Sequence, residues 1–277
     1  MIDMSALYAH QDYSNTLNNF QNRVTANNDC NYEDWKLFID VQMSVSKNRC
    51  PICESPLDDS LERNSNTGKT TIKPTIDHYR PQILYPNLKC THQNYLLMCS
   101  DCNNVYKGND FPLYPTNAQH TQSASSYTDV LHERPLLVNP INDKPLNMFR
   151  LVFRRLGQNV DILELEPLVD DDYINKKAKT TIEVFGLGSC RPNQSSNVEN
   201  CRINLLSNHY NKFFNLALAI NNMNEADFFN AMVEFKNGDL NKALKYNSFD
   251  DVLEALKNVP NDYGFLSFLF NKQFKII

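Results

Sequence analysis

The first half of the chain alternates between two kinds of apolar spacing. In "DWKLFIDVQMSV", Trp35, Phe38, Ile39 and Met43 fall at i, i+3, i+4 and i+8, which predicts an amphipathic helix leading towards Cys50. Residues 58–70, "DDSLERNSNTGKT", are polar and predict an exposed loop. "TIKPTIDHY" then brings β-branched residues at strand spacing, with Pro74 confining the strand to an edge or marking its start. "YLLMCSDCNNVYKG" reads as a short apolar strand or turn, followed by a short helix that Gly108 ends. The Ser, Thr, Asn and Gln-rich stretch 115–130 is the best loop or subdomain boundary.

The second half is less punctuated. "RPLLVNPINDKPLNMFRLVF" holds two short apolar runs broken by Pro and Asn-Asp, predicting strands or turns. "YINKKAKTTIEVFGLGS" predicts a helix stopping at Gly186, and a polar loop follows over 188–200. Helical periodicity resumes over 201–257, as in "FFNLALAINNM" and "FDDVLEALKNV". The tail "YGFLSFLFNKQFKII" is apolar but too short to span a bilayer, so burial against the core is expected. No internal repeat is visible. The expected class is α+β, mostly helical.

Composition narrows the setting. With 277 residues, 42% hydrophobic and 21% charged, the chain can bury a real core and resembles an ordinary globular protein. The N-terminal "MIDMSALYAHQDYSN" lacks the basic-then-apolar pattern of a signal peptide, and no run approaches a membrane span, so a cytoplasmic protein without membrane partners is expected. Cytoplasmic thiols stay reduced, so the eight cysteines are read as metal ligands or buried thiols, not as a disulfide scaffold. The net charge of −5 argues against a stand-alone nucleic-acid binder, whose affinity rests on phosphate neutralisation.

The candidate chemistry is concentrated between residues 50 and 107. Cys50 and Cys53, then Cys99 and Cys102, form two Cys-x-x-Cys clips of the spacing that tetrahedral structural zinc prefers. The gap between the clips far exceeds that of a simple zinc finger, so something folded lies inside it. Cys30, Cys90, Cys190 and Cys201 have no partner at short spacing and are read as core thiols, with a reservation for Cys90 and His92 inside the cassette. Asp77 could offer oxygen to a hard cation. Its neighbour His78 points to the other side of a regular strand, unless the chain twists between Pro74 and Pro81. If a helix begins near Asp101, Cys102 and Asn103 project about 100° apart, one towards the zinc clip and the other towards Asp77.

The ordered set "CPIC…IDHYRP…NYLLMCSDCNN…KG" resembles an HNH (ββα-metal) endonuclease of the zinc-clipped subclass. The resemblance implies a hairpin and a helix around one catalytic divalent ion, Mg²⁺ or Mn²⁺, beside a structural Zn²⁺ on the four cysteines. It implies Asp77 and an Asn at the helix head as ligands, His78 as general base, and Asn94 as a brace that orients His78. After the last cysteine the family runs Asn-x-x-Lys. Here "CNNVYKG" offers Asn103, by its place after Cys102, or Asn104, by its spacing to Lys107; the latter would contact phosphate.

The flanks "KGNDFPL", "RPLLVNPINDKP", "KTTIEVFGLG" and "CRINLL" are similar to the HNH subunits of Septu anti-phage systems and retron-associated HNH proteins (PtuB-type), over roughly residues 35–205. That similarity implies a DNA or RNA substrate and an ABC/SMC-like ATPase partner, since this chain carries no phosphate-loop motif of its own. The implied layout is an N-terminal helical segment (1–47), a zinc-clipped HNH core (48–115), a family-specific extension (116–200) and a C-terminal helical region (201–277). Two other readings stay open: a non-catalytic zinc-clipped adaptor that binds a partner or nucleic acid, which has no need of Asp77, His78 and Asn103, and an HNH nuclease of restriction or repair, which uses the same residues.

Overall fold

The computed structural model describes residues 1–58, 73–155, 161–187, 219–220, 222–246, 248–257 and 274–276. The expected loop 58–70, apart from Asp58, the polar loop 188–200, Cys190, Cys201, the run "FFNLALAINNM" over most of its length and most of the C-terminal tail lie outside these residues. The chain is a mixed α and β protein whose contacts divide it into two units. Met1–Met148 with Pro167–Phe185 form the first, and Phe149–Glu166 with Gly186–Ile277 form the second.

In the first unit, α1 (Tyr13–Asn27) ends where Asn28 turns left-handed. The amphipathic stretch that follows divides into two helices. Asn31 and Asp34 close a capping box on α2 (Tyr32–Trp35), and α3 (Phe38–Ser46) begins after two intervening residues. Phe38 and Ile39 are buried as their spacing predicts, and Phe20, Phe38 and Tyr95 meet edge to face.

Strand β1 (Pro74–His78) starts at its proline and pairs antiparallel with β2 (Tyr95–Cys99), every residue of which is buried. The register sets Pro74 opposite Cys99, Asp77 opposite Leu96 and His78 opposite Tyr95. One feature of β2's outer edge has no signature in sequence. The buried Gln42 of α3 accepts from Leu97 N–H (2.8 Å) and donates to Tyr95 C=O (3.2 Å), so one amide side chain takes the place of a third strand. Directly after β2 the chain winds into a π-helix, Asp101–Lys107, closed by Gly108 at φ 49° with its N–H on the Asn103 carbonyl (2.8 Å).

Residues 109–148 pack into the same unit. Leu113 bridges Pro135, Leu136–Val138 are buried without forming a strand, and the Thr181 hydroxyl of α4 (Asp172–Phe185) accepts from Val138 N–H at 2.9 Å. α4 ends as expected before Gly186, which has φ 62°.

The second unit has a sheet ordered β4-β3-β5, built from β3 (Phe149–Arg155), β4 (Asp161–Pro167) and β5 (Phe274–Ile276), with β5 parallel to β3. Helices α5 (Glu225–Lys236), α6 (Leu240–Ala243) and α7 (Phe249–Lys257) belong to the same unit. Among the described residues, no helix is long and apolar enough to cross a membrane.

Candidate metal centre

The two clips converge. Cys50 and Cys53 lie on a tight turn in which Glu54 N–H bonds Cys50 C=O and Glu54 takes a left-handed φ of 61°. Cys99 ends β2, and Cys102 sits in the first turn of the π-helix. The Cys50–Cys102 and Cys53–Cys99 sulfurs are each 3.7 Å apart, and all four lie within 4.8 Å of one another. A tetrahedron with Zn–S bonds of about 2.3 Å has edges of about 3.8 Å, so the four sulfurs have the spacing of a zinc site. Backbone N–H groups of Cys99 and Cys102 already point at the Cys50 and Cys99 sulfurs (3.4 and 3.3 Å). Burial and the neighbouring sulfurs push the Cys102 thiol well above its ordinary range, so four thiolates here require a cation. The cluster could hold a zinc ion, and it ties the head of the π-helix to the end of the hairpin.

Along the face of β1 that meets this helix, Thr75 and Asp77 stand two residues apart. Above them the helix presents Asn103 and Lys107. Asn103 donates to the Thr75 hydroxyl at 3.1 Å, and the Lys107 ammonium donates to Asp77 Oδ1 at 3.0 Å and to the His78 carbonyl at 3.1 Å. Asn103 is half-buried against β1 while Asn104 is exposed. Lys107, expected to face phosphate, is 1% exposed, its charge directed at Asp77. The other Asp77 oxygen, Oδ2, is buried and has no hydrogen-bond partner among the described residues. Burial raises the Asp77 carboxyl pKa, and the Lys107 charge offsets that rise only in part.

His78 faces the other way, as strand periodicity requires. Its ring stands edge-on to Trp35 and Tyr95, with centroids 4.9 and 5.2 Å away. Nε2 lies 2.9 Å from the Lys89 carbonyl, which can only accept. The proton therefore sits on Nε2, and Nδ1 is the basic nitrogen, 3.0 Å from the Gln82 amide. Burial lowers the His78 pKa to about 4 against the opposing pull of the Lys89 carbonyl, so the ring is neutral at pH 7.

Asn94 is fully buried and forms a two-way clamp on Arg80, accepting from its N–H (2.8 Å) and donating to its C=O (3.0 Å). It thus fixes the chain two residues beyond His78 without touching the imidazole. Arg80 itself lies over the rings of Tyr85 and Phe111, donates to Val130 C=O (3.1 Å) and pairs with Glu133. Glu133 also accepts from Tyr85 O–H and Thr121 N–H (2.8 Å each). No spacing rule links Arg80 to Glu133, and neither was among the predicted site residues.

The expectation of unpaired core thiols needs one correction. Cys30 and Cys90 form a disulfide across 60 residues of sequence, a separation at which spacing carries no signal. Beside it Lys89 pairs with Asp29 at 3.0 Å. Comparison with protein-family models, with curated proteins and with solved structures finds no match to this chain.

Proposed function

We infer that the chain is a metal-dependent HNH endonuclease that hydrolyses phosphodiester bonds in DNA or RNA. The observation carrying this reading is the buried Asp77 oxygen that has no hydrogen-bond partner among the described residues, on a hairpin strand faced by a helix whose head is anchored at the four-cysteine cluster. A buried carboxylate oxygen without a donor costs free energy that a cation would recover.

Asp77 and Asn103 would hold the divalent ion, and their oxygen donors suit Mg²⁺ or Mn²⁺. When bound, the ion would supply Lewis-acid stabilisation of charge developing on phosphate. His78, neutral and with its Nε2 proton committed to Lys89, would take a water proton on Nδ1. Asn94 would hold the turn that carries it. The fit of an anti-phage effector working with an ABC/SMC-like ATPase rests on the flanking motifs and on the net charge of −5, which leaves the grip on nucleic acid to a partner.

One observation favours a second reading. The Lys107–Asp77 pair already neutralises the carboxylate, as suits a zinc-clipped adaptor with no catalytic ion. Cleavage of plasmid DNA and total tRNA separates the two. The purified chain, alone and with its co-purified ATPase and nucleotide, is tested with Mg²⁺ or Mn²⁺, with EDTA, and as His78→Ala. Metal-dependent cutting lost in the variant supports the nuclease; silence in every arm leaves the adaptor.

A further inference from the structure

The loop joining β1 to β2 does more than reverse the chain, because it supplies the carbonyl that orients His78. Lys89 C=O receives both the His78 Nε2 proton (2.9 Å) and the Tyr95 hydroxyl (2.8 Å). Lys89 is itself held from outside the loop at two adjacent points. Its ammonium pairs with the exposed Asp29, and the next residue, Cys90, is bonded to Cys30, the neighbour of Asp29. Cys30 is buried, with its sulfur 3.8 Å from the Tyr95 hydroxyl, whereas Cys90 is half-buried. One sulfur of the pair is therefore within reach of solvent, and the other sits against the hydroxyl that shares the His78 acceptor.

The geometry points to a thiol-reversible tether: the Cys30–Cys90 disulfide holds the Lys89 carbonyl on His78, and its reduction by a dithiol releases that segment and the ring it orients. The chemistry is thiol–disulfide exchange. A dithiol's thiolate attacks the accessible Cys90 sulfur, and Cys30 leaves as thiolate and takes a proton. The second thiol then closes on the mixed disulfide and frees Cys90. Two electrons pass from the dithiol, which ends as a cyclic disulfide, and the protein ends with two thiols. Once the bond is open, Lys89 and Cys90 keep only exposed contacts to Asp29, which contribute little, while the Tyr13–His92 hydrogen bond (2.8 Å) still holds the far end of the segment. The oxidised protein is the form with His78 set; the reduced one is loose.

The tether stands on geometry alone; its consequence for cutting rests on the nuclease reading. The test uses the full chain, oxidised or treated with a dithiol, beside the double variant Cys30→Ser/Cys90→Ser, with zinc content measured in every sample so that loss of the cluster is seen. Amide exchange over residues 84–92 and the ¹⁵N signals of His78 are the direct readouts. The tether predicts faster exchange and a changed His78 tautomer balance on reduction, the same change in the variant without dithiol, and no dithiol response in the variant. Where the protein cuts, kcat falls about tenfold or more with KM little changed, since ångström-scale misplacement of a catalytic group costs up to about 10²-fold. Exchange and His78 signals that do not move on verified reduction overturn the tether, whether or not nucleic acid is cut. Movement of both in a protein that never cuts upholds the tether and removes the nuclease reading.

Discussion

The two ends of one five-residue ladder carry opposite chemistries. At the Pro74–Cys99 end, four soft sulfurs close a complete shell with the spacing of a single zinc ion. Towards the His78–Tyr95 end, one carboxylate has one oxygen on a lysine and the other without a hydrogen-bond partner among the described residues, and the adjacent imidazole is turned away and held by a loop carbonyl. The first end satisfies its own groups once a cation is present, so it organises structure. The second is left with a buried orphan and neutral or neutralised groups, and unsatisfied buried atoms mark places where a fold holds something besides itself. The difference teaches that proximity of ligands is not enough; what matters is whether the donors already have partners.

The largest effect belongs to the sulfur end. Removing zinc, or Cys99→Ser, is expected to abolish cooperative folding, since structural zinc contributes on the order of 10 kcal/mol to small domains. Zinc analysis should find one ion per chain, lost together with the thermal transition. A variant that melts normally without zinc would erase the distinction between the ends.

Next comes the buried pair. Lys107→Met strands the Asp77 carboxylate and should cost about 3–5 kcal/mol in urea unfolding, while Asp77→Asn added to it should recover most of the loss. If the carboxylate can take a divalent ion in place of the ammonium, Mn²⁺ should restore Lys107→Met selectively, by about 2.7 kcal/mol at a hundred times its Kd. No response to Mn²⁺ would mark that end as structural too.

The smallest effect is in pH. His78 is held neutral in the fold, with its pKa lowered from 6.5 to about 4, so its contribution is complete above pH 6.5 and is lost as pH falls from there towards 4. The loss amounts to about 3 kcal/mol. His78→Gln should flatten that limb of the stability curve relative to the parent, as read from denaturant midpoints across pH 4–7.

Much of this could be read from the chain itself. The Cys-x-x-Cys spacings, Pro74 at the head of a strand, the apolar run ending at Cys99 and Gly108 past Lys107 are local features, because turns, caps and strand starts depend on residues a few positions apart. The period-two rule sets Asp77 and His78 on opposite faces of a regular strand, but Pro74 and Pro81 suggest a local twist there, and the regular β1–β2 ladder through His78 shows none. What the chain could not reveal are the partnerships between distant residues. Cys30 finds Cys90, Arg80 finds Glu133, Gln42 replaces a strand beside β2, and Lys107 turns inward onto Asp77. Lys107 reads as a surface lysine by composition. Only the π-helix set over β1 brings its ammonium to a carboxylate that burial has stripped of water, where the loss of hydration raises the Asp77 pKa by more than the Lys107 charge lowers it. Sequence fixes which groups are available and which face of an element they take; the packing of elements decides which of them meet and which are left without a partner.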